Sequence, residues 1–202
     1  MKKILGIVLG AVGLLAVIFG VMTAIEYNAL ATKHESVAYQ KSQIVNSLET
    51  RDSTLGQLVV AVEAAIDIET SVYEMITNAR ESFATASSGE DYAAIIEADQ
   101  LSALAITELY AVIEDNPDLQ SIDTIEGLMV TIESLENQLK VARTDYNTAV
   151  RDYNTSIRTF PRNMFAAMFK FESSMPYWSA NPETGDGEIV VSGISYNAVH
   201  AS

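Results

Sequence analysis

The longest uninterrupted apolar stretch of this 202-residue chain lies near its N-terminus. Residues 4–25, ILGIVLGAVGLLAVIFGVMTAI, carry no charged side chain and follow Lys2 and Lys3. A helix rises about 1.5 Å per residue, so this run would be about 33 Å long, enough to cross the hydrocarbon core of a bilayer. We therefore predict a retained membrane anchor over residues 1–25. The alternative is a signal peptide cleaved after Ala29-Leu30-Ala31, although the run is longer than the usual apolar region of a signal peptide.

Small residues follow one face of this predicted membrane helix. At about 100° per residue they form a stripe that is broken only by Val17 and includes one G-x-x-x-G spacing. The members of this glycine stripe are Gly6, Gly10, Gly13, Gly20 and Ala24. Small side chains let two helix backbones approach closely in lipid, so the stripe predicts self-association into a homo-oligomer. The alternative is that glycine is simply more common in membrane helices than in soluble ones.

The composition excludes several classes of protein. The formal net charge is −15 and the sequence pI is about 4.3, whereas a nucleic-acid-binding protein needs a basic surface for the phosphates. The chain has no cysteine, which rules out disulfides and cysteine-ligated metal sites. His34 and His200 are its two histidines, and neither stands in a metal-binding spacing. We therefore expect no nucleic-acid partner, no metal and no other cofactor.

Beyond the anchor, the pattern is that of long helices. The chain has 10 Gly and 4 Pro, and the clearest interruptions are ASSGED at 86–91 and Asn116-Pro117. We predict an all-α fold, in which the N-terminal transmembrane helix is followed by an antiparallel bundle of long helices over residues 26–171. Residues 172–202 mix turn residues with one brief β-prone run, which predicts a mobile C-terminal tail.

One apolar seam is predicted to run through a single helix between residues 58 and 83. Its members alternate at spacings of four and three, as in coiled coils: Leu58, Val62, Ala65, Glu69, Val72, Ile76, Ala79 and Phe83. Glu69 would then lie in the core and need a cationic partner. The alternative is that Glu69 turns outward to solvent at the edge of the seam.

A seven-residue unit occurs twice, as DYNTAVR at 145–151 and DYNTSIR at 152–158. Seven residues make almost two helical turns, so equivalent positions of the two copies lie on the same face. Tyr146, Val150, Tyr153 and Ile157 are therefore predicted to face the core. Asn147 and Asn154 would lie at its border, where they would hydrogen-bond a neighbouring helix or loop near Tyr27-Asn28 or Pro117.

Basic residues form a third stripe on the same predicted helix, at Lys140, Arg143, Arg151 and Arg158. Residues 26–139 hold 21 acids and 4 bases, whereas residues 140–170 hold 2 acids and 6 bases. The arginines are therefore predicted to pair with carboxylates on other helices, with Glu69 the first candidate. The rival hypothesis is an exposed patch that binds an acidic partner or anionic lipid head groups.

Several motifs together resemble the LemA family of bacterial membrane-anchored proteins. They are YNAL at 27–30, NAR at 78–80, EDNPDL at 114–119, LENQLKVAR at 135–143, and the double repeat with its extension TFPRNMFAAMFKF to residue 171. The resemblance implies an N-terminal anchor and an antiparallel helical bundle, and some relatives are associated with magnetosome membranes or with cell-envelope functions. Lys41, Gly56 and Asn116 depart from the family pattern, where Trp, Pro and Tyr respectively are usual.

The sequence favours a non-enzymatic function. It contains no P-loop, no G-x-S-x-G and no G-x-G-x-x-G, and its acidic pairs are typical of solvated helix ends. Two hypotheses remain: a self-associating scaffold that contacts the bilayer and other membrane proteins, and a ligand-sensing bundle anchored in the membrane. We favour the scaffold, because only Met1, Lys2 and Lys3 precede the span to receive a signal. We expect location in the cell (inner) membrane, and the positive-inside rule predicts that the bundle lies outside the cytoplasm.

Overall fold

The computed structural model describes residues 2–88 and 92–178, together with the backbone of residues 190–191 and 194–195. The fold is all-α, as predicted, and begins with a long helix whose first part is apolar. The helices are α1 Lys2–Glu63, α2 Thr70–Ser87, α3 Tyr92–Glu114, α4 Pro117–Gln120, α5 Asp123–Arg158 and α6 Arg162–Met168. Two short strands, β1 Val190–Val191 and β2 Ile194–Ser195, pair antiparallel with Val190 opposite Ser195.

Helix α1 is continuous over 62 residues, from the apolar run into the amphipathic part of the chain. No proline interrupts it, and its glycines lie within the apolar run except for Gly56. Membrane helices tolerate glycine because the backbone hydrogen bonds inside a helix have no competitor in lipid.

The prediction of a single helix between residues 58 and 83 is wrong. Helix α1 ends at Glu63, and α2 begins at Thr70 and folds back along α1, so that Arg80 contacts Asp52. Ala65 and Glu69 of the predicted seam lie exposed in or beside the connection, whereas its other members are buried. Each helix has its own apolar stripe, and the two stripes happen to be in phase. The four-three alternation therefore continues through a chain reversal that contains neither glycine nor proline.

Other helix ends follow local chemistry that the sequence displays. Helix α3 ends at Glu114, shortly before Pro117, and Pro117 occupies the first turn of α4, where its missing N–H is not needed. Helix α5 carries Asp123 and Glu126 in its first turn and Arg158 in its last turn, which suits the helix dipole at both ends.

The chain forms two compact units. The first comprises residues 1–42 and 143–177, and the second comprises residues 43–142 and 178–202. In the first unit, His34 of α1 packs against Tyr153 of α5, and the earlier Glu26 of α1 bonds Arg162, the first residue of α6. The buried hydrophobic residues of this unit are Leu30, Val37, Tyr146, Val150, Tyr153, Ile157, Phe165, Ala166 and Met175.

The second unit has a continuous apolar core formed by α1, α2, α3, α4 and α5. Helices α2 and α3 form a hairpin within it, and the short α4 contributes Leu119. Its fully buried members include Leu55, Leu58, Val62, Ala105, Leu109, Ile113 and Ile125. Burial of a Leu or Ile side chain stabilises the fold by about 1.5–3 kcal/mol, so these positions supply much of the stability of this unit.

The predicted mobile tail begins too early. Residues 172–178 pack against the helices, and Met175 and Trp178 are both buried. Trp178 lies edge-to-face against Tyr92, with ring centroids 5.3 Å apart. The remainder of the predicted tail lies outside the described residues, apart from the backbone of the two short strands.

Candidate functional site

The apolar part of α1 is the first component of the site. Its side chains are exposed throughout residues 4–22, and within the described residues α1 is the helix whose length and composition suit a membrane span. A Cβ added at Gly6, Gly10, Gly13 or Gly20 would meet no atom within 4 Å, and Ala24 is exposed. The glycine stripe therefore faces open space in the described part of the chain.

Helix α6 packs against the end of this apolar run. Phe165 of α6 lies beside Phe19, with ring centroids 5.9 Å apart and an interplanar angle of 35°. Four residues later, Phe169 makes an edge-to-face contact with Tyr27 at 4.9 Å. The chain from residue 165 to residue 169 therefore runs in the same direction as α1, and its beginning lies at the level of Phe19.

An ion pair marks the boundary of the apolar run. Glu26 is the first charged residue after it, and its Oε2 accepts a hydrogen bond from Nε of Arg162 at 2.6 Å. The side chain of Glu26 is 15% exposed and that of Arg162 is 35% exposed. Pairing reduces the cost of placing either charge next to apolar surface, and the long arginine side chain can carry its charge toward the polar side.

A turn at the C-terminus of α6 directs the chain back onto α1. The N–H of Phe171 bonds the carbonyl of Ala166 at 3.0 Å, and the N–H of Lys170 bonds that of Ala167 at 3.3 Å, which is the Schellman pattern. Lys170 has φ 57°, in the left-handed region that glycine usually fills at this position. The turn brings the ring of Phe171 to 5.9 Å from Tyr27 and 6.3 Å from His34.

The core positions of the repeat hold residues 172–176 against α5. Tyr146, Val150, Tyr153 and Ile157 are buried, as their spacing predicts. The hydroxyl of Tyr146 donates to the carbonyl of Pro176 at 3.0 Å, and that of Tyr153 donates to the carbonyl of Glu172 at 2.9 Å. Burial, and to a smaller extent the charge of Glu172, raises the pKa of Tyr153.

The two repeat asparagines have separate surroundings. Asn154 is buried; its Nδ2 donates to the carbonyl of Met175 at 2.9 Å, and its Oδ1 accepts from the N–H of Met175 at 2.8 Å. This reciprocal pair satisfies both backbone groups of Met175, in the way one strand residue satisfies another. Asn147 is half-buried and also has an interaction partner. Asn154 thus bonds a loop, as predicted, but the loop is residues 172–176 and not the segments near Tyr27-Asn28 or Pro117.

The predicted ion pairs between the repeat arginines and Glu69 are wrong. Glu69 is exposed at the N-terminal cap of α2, which is the outward alternative. Arg151 is 64% exposed and its Nε lies 3.6 Å from the carboxylate of Asp152, its neighbour in sequence. Arg158 is exposed, and Arg143 is half-buried with an interaction partner. Arg151 and Arg158 therefore lie on the outer face of α5, away from the seam of the repeat.

Arg51 is a buried cation of the second unit, and none of the motifs considered above indicates it. Its Nη2 donates to Oδ1 of Asp99 at 2.9 Å and to the carbonyl of Asp99 at 3.2 Å, and its Nη1 donates to Oε1 of Glu136. The signal was available: Arg51 follows Ile44 and Leu48 and precedes Leu55 and Leu58 at alternating spacings of four and three. A charge inside such a seam indicates a buried ion pair.

Tyr110 of α3 lies near Glu133 and Glu136 of α5. Its hydroxyl donates to the carbonyl of Met129 at 3.1 Å. Burial, followed by the charges of Glu133 and Glu136, raises the pKa of Tyr110 to about 12. The phenol is therefore held neutral, and it links α3 to α5 as a hydrogen-bond donor.

The departure at Gly56 has a local consequence. A Cβ at this position would lie 2.9 Å from Cζ of Arg80 and 3.0 Å from its Nη2. Arg80, which belongs to the NAR motif, extends across Gly56 to Asp52, with its Nε 3.3 Å from Oδ1. Glycine thus lets the guanidinium lie against the backbone of α1 on its way to the carboxylate.

These features define a membrane-anchored helical protein with one candidate span among its described residues, in which the repeat of α5 holds the segment after α6. The chain belongs to the LemA family, because residues 40–192 match the pattern of that family. This confirms the resemblance read from the motifs.

Three curated relatives are named as magnetosome proteins. The chain is 25% identical over 187 residues to each of two proteins of Paramagnetospirillum magneticum, named magnetosome protein MamQ 1 and magnetosome protein MamQ 2. Each alignment covers 81% of this chain and 68% of the relative. The chain is 23% identical over 204 residues to magnetosome protein MamQ of Magnetospirillum gryphiswaldense. That alignment covers 89% of this chain and 74% of the relative.

Proposed function

We propose that this protein is a non-enzymatic scaffold or interaction protein of the cell envelope, which is anchored by one membrane span and self-associates within the bilayer. The observation that carries the proposal is α1: its first part is apolar and exposed, and the same helix continues to Glu63 with buried residues from Leu30 onward. A helix with these two parts suits a protein that holds a folded domain at a membrane surface.

The open glycine stripe supports self-association. Four glycines and Ala24 lie on one exposed face, where a second copy of α1 could pack with its backbone in close contact. The relatives are magnetosome proteins by name, so a role in organising a specialised membrane compartment is consistent with this proposal.

The proposed location is the cell (inner) membrane, with the folded helices outside the cytoplasm. Lys2 and Lys3 precede the apolar run, whereas the chain that follows is strongly acidic. Positively charged residues remain on the cytoplasmic side during insertion, which supports this orientation. Protease added to intact spheroplasts should therefore digest the helical domain, and full protection would reverse the orientation.

The lack of enzymatic activity is also part of the proposal. The buried polar side chains described above join structural elements: Arg51 joins three helices and Asn154 holds the backbone of Met175. Other membrane proteins are the proposed partners of the exposed helical surfaces. Crosslinking in native membranes, followed by mass spectrometry, would identify them.

The ligand-sensing alternative would use a groove between α2 and α3. This groove has a volume of about 500 Å³, and the residues that line it include Asn78, Glu81 and Glu97. It is open to solvent, whereas a small-molecule site usually encloses most of its ligand. A small molecule that raises the melting temperature of the wild-type protein but not of an Asn78→Leu variant would favour this alternative over the scaffold.

The self-association is tested in the anchor itself. Gly10→Ile and Gly13→Ile place a branched side chain on the stripe and should reduce the oligomer that is captured by crosslinking in membranes. Leu14→Ile lies off the stripe and conserves volume, so it is the matched control. Equal crosslinking of all three variants would show that the anchor is only a tether.

A further inference from the structure

We propose that the turn between α5 and α6, together with the exposed face of α6, is embedded in the interfacial layer of the bilayer that residues 4–25 cross. The protein would then contact the membrane at two places, through the span and through this second element. We call the second element the α6 patch and define it as Phe160, Met164 and Met168. The inference rests on the span being in the membrane, and it is independent of self-association.

The position of α6 along α1 is the first observation. Phe165 contacts Phe19, which lies six residues before Ile25, the last residue of the apolar run. At about 1.5 Å per residue, this contact is about 9 Å inside the end of the run. An interfacial helix buries its apolar face about 5–10 Å into the boundary between head groups and acyl chains. Phe165 therefore lies at the depth that such helices reach, while Arg162, the first residue of α6, pairs with Glu26 just outside the run.

The exposure of the α6 patch is the second observation. Phe160 is 75% exposed, Met164 is 61% exposed and Met168 is 51% exposed. Met164 and Met168 are four residues apart and therefore share one face of α6, while Phe165 and Ala166 are buried on the other face. Large apolar side chains grouped on an exposed surface indicate an interaction site.

The charges around the α6 patch are the third observation. Arg158, at the end of α5, and Lys170, after α6, are exposed, and Arg162 lies between them. Residues 158–171 contain these three bases and no acid, and Arg162 is already paired with Glu26, which leaves Arg158 and Lys170 as the exposed bases. Bases that border an apolar face can extend their charged ends to lipid phosphates while their aliphatic parts remain in apolar surroundings.

Continuity with the span favours lipid over a second protein as the occupant. Phe19 lies within the apolar run, so whatever surrounds the run at that level also surrounds the neighbouring α6. Acyl chains and head groups meet this requirement without any further partner. A second copy of the chain could also cover the patch, and site-specific labelling distinguishes the two.

The chain has no cysteine, so single cysteines can be introduced and labelled without removing any native one. We would place a polarity-sensitive fluorophore at Phe160→Cys or Met164→Cys in the full-length protein. The labelled protein would be reconstituted in phosphatidylethanolamine and phosphatidylglycerol vesicles that carry bromine near the head group or near the bilayer centre. Thr148→Cys, exposed on α5, is the aqueous control, and Leu14→Cys is the control for the span.

We expect the emission at residues 160 and 164 to be blue-shifted and to be quenched by bromine near the head group. Iodide dissolved in the water should not quench it. Residue 148 should show the opposite behaviour, and residue 14 should be quenched by bromine at the bilayer centre. If the emission at residues 160 and 164 matches that at residue 148, the proposal is overturned. Quenching at residue 14 by bromine at the bilayer centre would then show that residues 4–25 still cross the membrane. Disulfide-linked dimers of the unlabelled Phe160→Cys variant, without quenching of its labelled form by lipid bromine, would overturn the proposal in favour of a second copy.

Discussion

Arg51 of α1 and Asp99 of α3 form a buried ion pair, with Nη2 and Oδ1 2.9 Å apart and side chains only 1% and 5% exposed. Glu136 of α5 accepts a second bond from the same guanidinium, and its side chain is 38% exposed. One cation therefore joins three helices of the second unit. The fork of an arginine suits this arrangement, because it directs separate N–H groups at separate acceptors.

Arg51→Met should destabilise the protein strongly. The substitution leaves the carboxylate of Asp99 buried without its cation, which costs about 3–5 kcal/mol. Urea unfolding in detergent, followed by circular dichroism, would measure the loss. Arg80→Met is the matched control, since its pair with Asp52 is partly exposed and should be worth about 0–1 kcal/mol.

Replacing both partners separates the cost of a buried charge from the value of the pair. The double variant Arg51→Met with Asp99→Leu should recover much of the lost stability, because no unpaired charge remains in the core. A double variant as unstable as Arg51→Met would show that shape, rather than charge, explains the loss.

Arg151→Glu should leave the stability nearly unchanged. Its side chain is exposed and its ion-pair partner is the adjacent Asp152, so we expect a change within about 0.5 kcal/mol. Thermal unfolding of the variant, alone and combined with Glu69→Arg, is the measurement. A loss above about 1 kcal/mol that Glu69→Arg reverses would revive the cross-helix pairing in place of the exposed position of Arg151.

Asn154→Ala should release residues 172–176 from α5. The variant leaves the N–H and the carbonyl of Met175 without their partner, which costs about 1–3 kcal/mol. Hydrogen exchange at the amide of Met175 should become faster than in wild type. Thr155→Ala, at the next and exposed position, is the control, and equal exchange in both variants would contradict the role assigned to Asn154.

The stability should fall between pH 10 and pH 12 because of Tyr110. Its pKa is about 12 in the folded protein and 10.0 ordinarily, so the unfolded state loses its proton first as the pH rises. The contribution of Tyr110 is therefore fully present below pH 10 and is lost as the pH rises through the folded pKa. Unfolding in urea across this range should show a shallower fall for Tyr110→Phe than for wild type.

Tyr73→Phe is the control for this titration, because Tyr73 is 44% exposed. It should retain the wild-type fall in stability at high pH. If Tyr110→Phe and Tyr73→Phe show the same pH dependence as wild type, the neutral phenol of Tyr110 does not contribute to that dependence.

The sequence alone determined the features that depend on near neighbours in the chain. The apolar run of residues 4–25, the end of α3 before Pro117 and the buried face of the repeat at Tyr146 and Tyr153 are all read from composition and periodicity. A helix buries the same face wherever it packs, so the spacing of apolar residues is sufficient for these predictions.

Only the tertiary structure decided which residues meet across the fold. Arg51 and its partners are 48 and 85 residues apart, and Asn154 is 21 residues from Met175. Periodicity identifies a buried face but not the surface that covers it. For the same reason, the apolar periodicity continues through the reversal at residues 64–69 and predicts a core position for Glu69. Two consecutive helices can have apolar stripes in phase, and only their packing reveals that the chain has turned between them.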